Sequence, residues 1–271
     1  MKLRAKVVVP ALLVVGVSAP VIASSASATT KPPARITMPD LQIMVPTDAF
    51  SIGQNTDTGD TQLQFTHITW NAGAGPFVIT PHFNRRTGIS TFTQTIYKSR
   101  GGTNWSKAYK VNLSTTGIFD PPSDYRYPLT SFTLNQPNSD GTPSSTIVAT
   151  SPKTDYCITT DFTVWNVPNG PSPPQSDCTK PNKPLGFAVG YGDEYDQTDN
   201  GQPIDLTGVP DGTYILRGVV DPEHVLTESN PDNNVVDTEL QITGTTVSVL
   251  SQTQPVITPP AMVRAIFASD S

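Results

Sequence analysis

Three histidines, two cysteines and one acidic loop are the residues of this 271-residue chain whose types suit metal or redox chemistry. His67 lies in the strand-like run "LQFTHITW", His82 follows Pro81, and His224 sits in "DPEHVLTESN". Imidazoles hold a transition metal when two or three converge. These three are far apart and show no metal-ligand spacing, so each reads more simply as a structural or solvent histidine. In "YGDEYDQTDNGQPID", Asp196, Thr198, Asn200 and Gly201 partly mimic the start of an EF-hand loop. Hard cations want several oxygens on a short turn, but the closing Glu and the flanking helices are missing, and a solvated turn remains the plainer reading. P-loop, GxSxG, HExxH and Rossmann glycine patterns are absent, which leaves the common nucleotide, hydrolase and zincin chemistries without residues.

A second kind of spacing appears in "PPSDYRYPLTSF", where Tyr125, Tyr127 and Leu129 fall on alternate positions. In a strand they would share one face, which is either core or a site.

The segments that must position these residues read as β. "LQIMV", "LQFTHITW", "TFTQTIY", "STIVAT", "LGFAVGY", "TYILRGVV" and "VVDTELQI" are strand-length runs rich in Val, Ile, Thr, Phe and Tyr. Gly, Pro, Asn and Asp clusters separate them. The spacing predicts an all-β sandwich of short, mostly antiparallel strands. With 27 prolines and 19 glycines no helical period survives, so helix should be minor. "QPNSDGTP" and "GVPDGTY" read as hairpin turns, because Asp-Gly tolerates positive φ. "TESNPDNN" reads as a turn that hydrogen-bonds its own backbone, and "TTVSVL" alternates as a strand would.

The chain opens with Lys2, Arg4 and Lys6 before an apolar run that ends in "ASA", which reads as a signal peptide over residues 1–28. Pro10 and Pro20 interrupt that run, so a retained membrane span is the weaker reading. Residues 29–39 should be a flexible leader and 40–271 a single domain. Setting the signal aside leaves 14 basic against 23 acidic residues, a net charge of −9. Such a surface disfavours nucleic acid and anionic lipid. Export to an oxidising compartment predicts a Cys157–Cys178 disulfide. Asn104 in "NWS" and Asn112 in "NLS" fit the glycosylation acceptor pattern.

The run "DGTYILRGVVDPEHVLTESNPDNNVV" resembles both adhesion-type β-sandwich modules of exported bacterial proteins and the C-terminal part of the lysyl oxidase family. Its surroundings favour the second. "SPKTDYCITTD" is similar to the family segment in which a lysine stands four residues before a cysteine. "VGYGDEYDQTDNGQPIDLTGVPDGTY" resembles its glycine/tyrosine loop and the run that follows, and "LQFTHITWNAGAGPFVI" resembles the opening strand of bacterial members with its "WNxGxGP" turn. The resemblance is collinear over roughly residues 40–243.

That resemblance implies a copper amine oxidase that oxidises lysine side chains to aldehydes with a quinone built from its own lysine and tyrosine. By motif position Lys153 and Tyr195 are the precursor residues, and Cys157 falls on a family cysteine. Active members carry H-x-H-x-H, three imidazoles on one strand face. The collinear segment offers Tyr125, Tyr127 and Leu129, so the metal strand is degenerate and no metal ligands are assigned. The expectation is an exported lysyl oxidase-like protein without cofactor, serving as a binding or structural module for an unknown protein or cell-envelope partner. The alternative is an active oxidase with copper and lysine tyrosylquinone, Tyr125 or Tyr127 supplying a phenolate beside a histidine. A calcium-stabilised adhesion module is a third reading.

Overall fold

A computed structural model describes residues 33–101, 104–120, 124–125, 127–152, 155–165, 174, 176–180, 182–197 and 202–253, with backbone alone for 117–120 and 124–125. The signal-peptide segment lies outside these residues. In chain order the strands are β1 (Arg35–Thr37), β2 (Leu41–Met44), β3 (Phe50–Gln54), β4 (Thr61–Phe65), β5 (His67–Asn71) and β6 (Phe77–Asn84). Next come β7 (Ile89–Arg100), β8 (Asn104–Asp120), β9 (Asp124–Tyr125), β10 (Thr130–Pro137), β11 (Pro143–Thr150) and β12 (Phe162–Thr163). The last are β13 (Leu185–Phe187), β14 (Tyr191–Tyr195), β15 (Ile204–Asp205), β16 (Gly212–Val220), β17 (Val235–Thr243) and β18 (Thr246–Gln252). Among the described residues helix is confined to one 3-10 turn, Pro231–Asn233, capped by the Asn230 side chain.

The all-β expectation holds. One sheet runs β13-β6-β7-β8-β9 with β1 also on β7, a second runs β11-β10-β16-β17-β18, and two smaller ones run β12-β14-β5-β2 and β15-β4-β3. Every ladder is antiparallel among the described residues. Period-2 burial sets the faces: β17 alternates buried and half-buried positions along Val235–Ile242, as a strand with one core face must. One core cluster gathers Phe77, Ile79, Phe92, Leu185 and Phe187 from the first sheet with Leu41 and Ile158. Another gathers Leu63, Phe65, Phe132, Leu134, Leu216 and Leu240.

Several segments depart from what their local pattern predicts. "LQFTHITW" is two strands: the chain breaks at buried Thr66, so β4 and β5 enter different sheets. The hydroxyl of Thr66 accepts from the Gln197 N–H at 3.1 Å, while its own N–H donates to the Ala49 carbonyl at 3.2 Å. The leader expected over 29–39 contributes β1, which pairs Arg35–Thr37 with Tyr97–Ser99 of β7. β8 is missing from the strand-length runs named above, yet Val111 and Leu113 alternate with exposed Lys110, Asn112 and Ser114 as a half-buried strand requires; Asn104 and Asn112, the two acceptor sites, are both exposed on it. Asp140-Gly141 makes the expected hairpin with Gly141 at φ 79°. In "GVPDGTY" the positive φ falls instead on Gly208, at 79°, and Gly212 already belongs to β16. "TESNPDNN" is only partly local. The Glu228 carboxylate accepts from Asn234 Nδ2 at 2.7 Å and also from the backbone N–H of Leu41 at 2.9 Å, which ties the turn to β2.

The turn in "WNAGAGP" shows why its residues are fixed. Asn71 Oδ1 accepts from the N–H groups of Asp40 at 3.1 Å and Gly73 at 3.0 Å, and its Nδ2 donates to the Gly75 carbonyl at 2.8 Å. The 37–40 connection therefore lies against the turn, and a Cβ on Gly73 would stand 2.4 Å from the Asp40 backbone nitrogen. Gly73→Ala is expected to lower stability by about 1–3 kcal/mol, read as a shift in the urea midpoint at unchanged m; an unshifted midpoint would contradict the close approach. Cys157 and Cys178 form the expected disulfide, with 21 residues of sequence separation. Replacing both by Ala is expected to cost about 3 kcal/mol in the same measurement, because the unfolded chain is released from a closed loop.

Candidate functional site

His67 begins β5, and its antiparallel partner in register is Tyr195 at the end of β14. Opposed residues of an antiparallel pair share a face, and the two rings stack with centroids 5.3 Å apart and 8° between planes. Phe132 of β10 packs on the same imidazole at 4.7 Å, and Tyr156 meets it edge-on at 5.6 Å. Tyr156 also meets Tyr195 edge-on at 4.8 Å. Phe132 belongs to one core cluster and Tyr156 to the other, so the buried imidazole sits where the two cores touch.

Tyr195 is fastened at its far end as well. Its hydroxyl donates to the Cys157 carbonyl at 2.9 Å, which brings it to the segment that carries the disulfide and, four residues earlier in sequence, Lys153. Lys153 itself lies outside the described residues. Beside this cluster Ser151 Oγ donates to the Gln202 carbonyl at 2.8 Å, and Gln202 Nε2 donates to the Phe65 carbonyl. Asp193 of "GDEYD" is not a solvated loop acid: it is buried and accepts from the N–H of Thr159 at 3.1 Å and from its hydroxyl at 2.9 Å. Of the calcium candidates Asp196 is described, while Thr198, Asn200 and Gly201 fall outside.

The stretch from Pro121 to Phe132 does not form the single strand its alternation predicted. Tyr125 closes the short β9, Tyr127 makes an isolated bridge with Tyr156, and Leu129 precedes β10. The backbones of Tyr127 and Tyr156 exchange both hydrogen bonds, at 3.0 and 2.9 Å. Tyr127 and Leu129 both enter the core, Tyr127 with its ring edge-on to Phe92 at 5.0 Å. For these two the answer to the core-or-site question is core. The Tyr125 side chain lies outside the described set.

Electrostatics around Tyr127 run against its ionisation. Burial pushes its phenol well above the ordinary tyrosine value, and the negative charges of Asp221, Glu223 and Glu228 push it further. Burial raises Tyr156 too, opposed by a hydrogen bond with Thr130 and reinforced by Asp155 and Asp193. A phenolate at Tyr127 is thus disfavoured by both desolvation and like charge.

The three histidines stay apart in role. His67 is stacked among rings, His82 shares 3.2 Å and 2.9 Å hydrogen bonds with Asn182 Oδ1 and Thr93 Oγ1, and His224 sits in a turn at φ 51°. Among the described residues no group of three or more His, Cys, Asp and Glu side chains is placed to hold a metal ion. The aromatic cluster around His67 was hidden from sequence reading because it draws on four separated segments; the strand-like setting of His67 and "GDEY" was the only local signal.

Glu228 carries the clearest titration of this region. Burial lifts its pKa to about 7, above the 4.5 of a free glutamate, against the opposing hydrogen bonds from Asn234 and Leu41 and with help from the charges of Asp221 and Asp40. The folded state keeps a proton that the unfolded chain releases, so this contribution to stability is full below pH 4.5 and is lost as pH rises through about 7. Thermal midpoints of Glu228→Gln should fall less steeply over that window than those of the parent; parallel profiles would show that Glu228 does not titrate there.

Comparison with known proteins bears on this geometry. The family model described as lysyl oxidase matches residues 144–252. The protein-lysine 6-oxidase of Sus scrofa and that of Bos taurus are each 41% identical to this chain over 59 residues, 22% of its length. The aligned part spans 24% of the pig protein and 14% of the bovine one. Lys153, Cys157, Cys178 and Tyr195 fall inside the matched region, whereas Tyr125, Tyr127 and Leu129 lie before it. The match places residues 144–252 of this chain in the lysyl oxidase family.

Proposed function

We propose that the chain is an exported lysyl oxidase-like protein that lacks copper-dependent amine oxidase chemistry and serves outside the cell, or in its envelope, as a binding or structural module. The donor set carries this reading. A copper centre of the family's kind needs three imidazoles converging on one face, and this chain has three histidines in all. One is packed among three aromatic rings at a junction of cores, one fastens β6 to Asn182, and one sits in a turn. Tyr127 and Leu129, collinear with the family's metal strand, are core side chains. The residues present do not fit copper. Without a metal to oxidise it, Tyr195 is a structural tyrosine whose hydroxyl donates to a main-chain carbonyl. Export rests on the signal-like start. Among the described residues no helix is long and apolar enough to cross a membrane.

One observation favours the rival oxidase: Tyr195, the quinone-precursor position by resemblance, stands against both His67 and the segment leading back to Lys153. Its phenol would need an oxidant that the described donors do not provide. The two readings separate cleanly. Protein secreted in copper-containing medium should contain copper well below stoichiometry, release no peroxide from primary amines, and show an intact mass altered only by leader removal and the disulfide. Stoichiometric copper with peroxide release, or a peptide cross-linking Lys153 to Tyr195, would overturn the proposal.

A further inference from the structure

The outer face of β6, β7 and β8 carries a groove that none of the chemistry above uses. It is about 310 Å³ in volume, with Val78, Thr95 and Tyr97 on its floor, Pro184 on its wall, and Lys107 and Lys110 at its side. That is the lower end of the range for small-molecule pockets. The two lysines share the groove because of a β-bulge. Thr95 pairs with Lys110 and Ile96 with Tyr109, but Tyr97 then pairs with Lys107, so the register shifts and Ala108 is left over. In a regular strand residues three apart point to opposite faces; the extra residue turns Lys107 back to the face of Lys110. Bulges re-aim side chains in this way.

The wall is built as well. Asn182 donates its N–H to the Pro81 carbonyl at 3.1 Å and meets His82 Nδ1 through its Oδ1 at 3.2 Å. β13 begins at Leu185, directly after Pro184, and pairs with β6, so the wall segment is tied to the floor strand at both ends. His82 therefore has a role that its spacing did not reveal, holding the segment that closes the groove. No acidic side chain lines the groove among the described residues, although acidic residues outnumber basic ones in the chain, 23 to 17. Among the described residues neither lysine has an ion-pair partner. Two unpaired ammonium groups beside an apolar, aromatic floor suit an anion carried on an apolar body. The described lining has no helix N-terminus of the kind that phosphate sites commonly use, which favours a carboxylate.

We propose that this groove binds a small carboxylate on an apolar body, its anionic head between Lys107 and Lys110 and its body against Val78, Tyr97 and Pro184. The proposal stands apart from the oxidase question, since it uses none of the residues that decide it. The test is titration of the isotope-labelled full-length secreted protein with phthalate, phenyl phosphate and neutral benzamide, following amide chemical shifts. Phthalate should give saturable shifts centred on residues 76–80, 95–97, 107–110 and 182–184. The Lys107→Gln, Lys110→Gln double variant should weaken that binding about tenfold or more. Lys98→Gln, an exposed lysine on β7 next to Tyr97 but on the other face, should leave it nearly unchanged. Binding of benzamide as tight as phthalate, equal loss in Lys98→Gln, or no saturable shift would each overturn the proposal, and tighter phenyl phosphate would overturn the carboxylate assignment.

Discussion

The strand His67–Asn71 is buried at all five positions, and a strand without a solvent face can exist only if both of its edges and both of its faces are covered. β14 covers one edge through Gly192–Tyr195 and β2 the other through Leu41–Met44. One face is covered by the aromatic rings around His67 and the other by Trp165, which meets Trp70 edge-on at 4.7 Å. Asn71 closes the strand by using its side chain on three backbone groups of the connection and turn around it. The approach of β1 and β2, the glycine turn and the placement of Tyr195 all follow from satisfying this one strand.

The same constraint explains the character of the candidate site. His67 is where it is because β5 must pack against both cores, and its stacking on Tyr195 follows from their register. His67 and His82 both have structural duties here, one in ring stacking and one in hydrogen bonds to Asn182 and Thr93.

A second belt of interactions runs from β2 to the turn after β16. Glu228 accepts from Leu41 on one side and Asn234 on the other, and Asp221 accepts from the N–H groups of Val225 and Leu226 at 3.2 and 3.0 Å. These carboxylates are held by hydrogen-bond donors, most of them backbone N–H groups, which is why burial near Tyr127 is tolerated, and their charge adds to burial in keeping that phenol protonated.

Much of the architecture was legible locally. Runs rich in Val, Ile, Thr, Phe and Tyr identified β2, β7, β11, β16 and β17, and Asp-Gly identified the β10–β11 hairpin, because strand propensity and turn chemistry are properties of a few neighbouring residues. The presence of just two cysteines identified the disulfide, and the motifs around Lys153 and Tyr195 identified the family. Tertiary structure alone decided that "LQFTHITW" splits at Thr66, that Arg35–Thr37 joins a sheet, that Tyr127 and Leu129 go to the core without forming a ladder strand, and that Lys107 turns to face Lys110. Each of these depends on which strands pair and in what register, and that choice is made by contacts between segments tens of residues apart, where the local pattern carries no instruction.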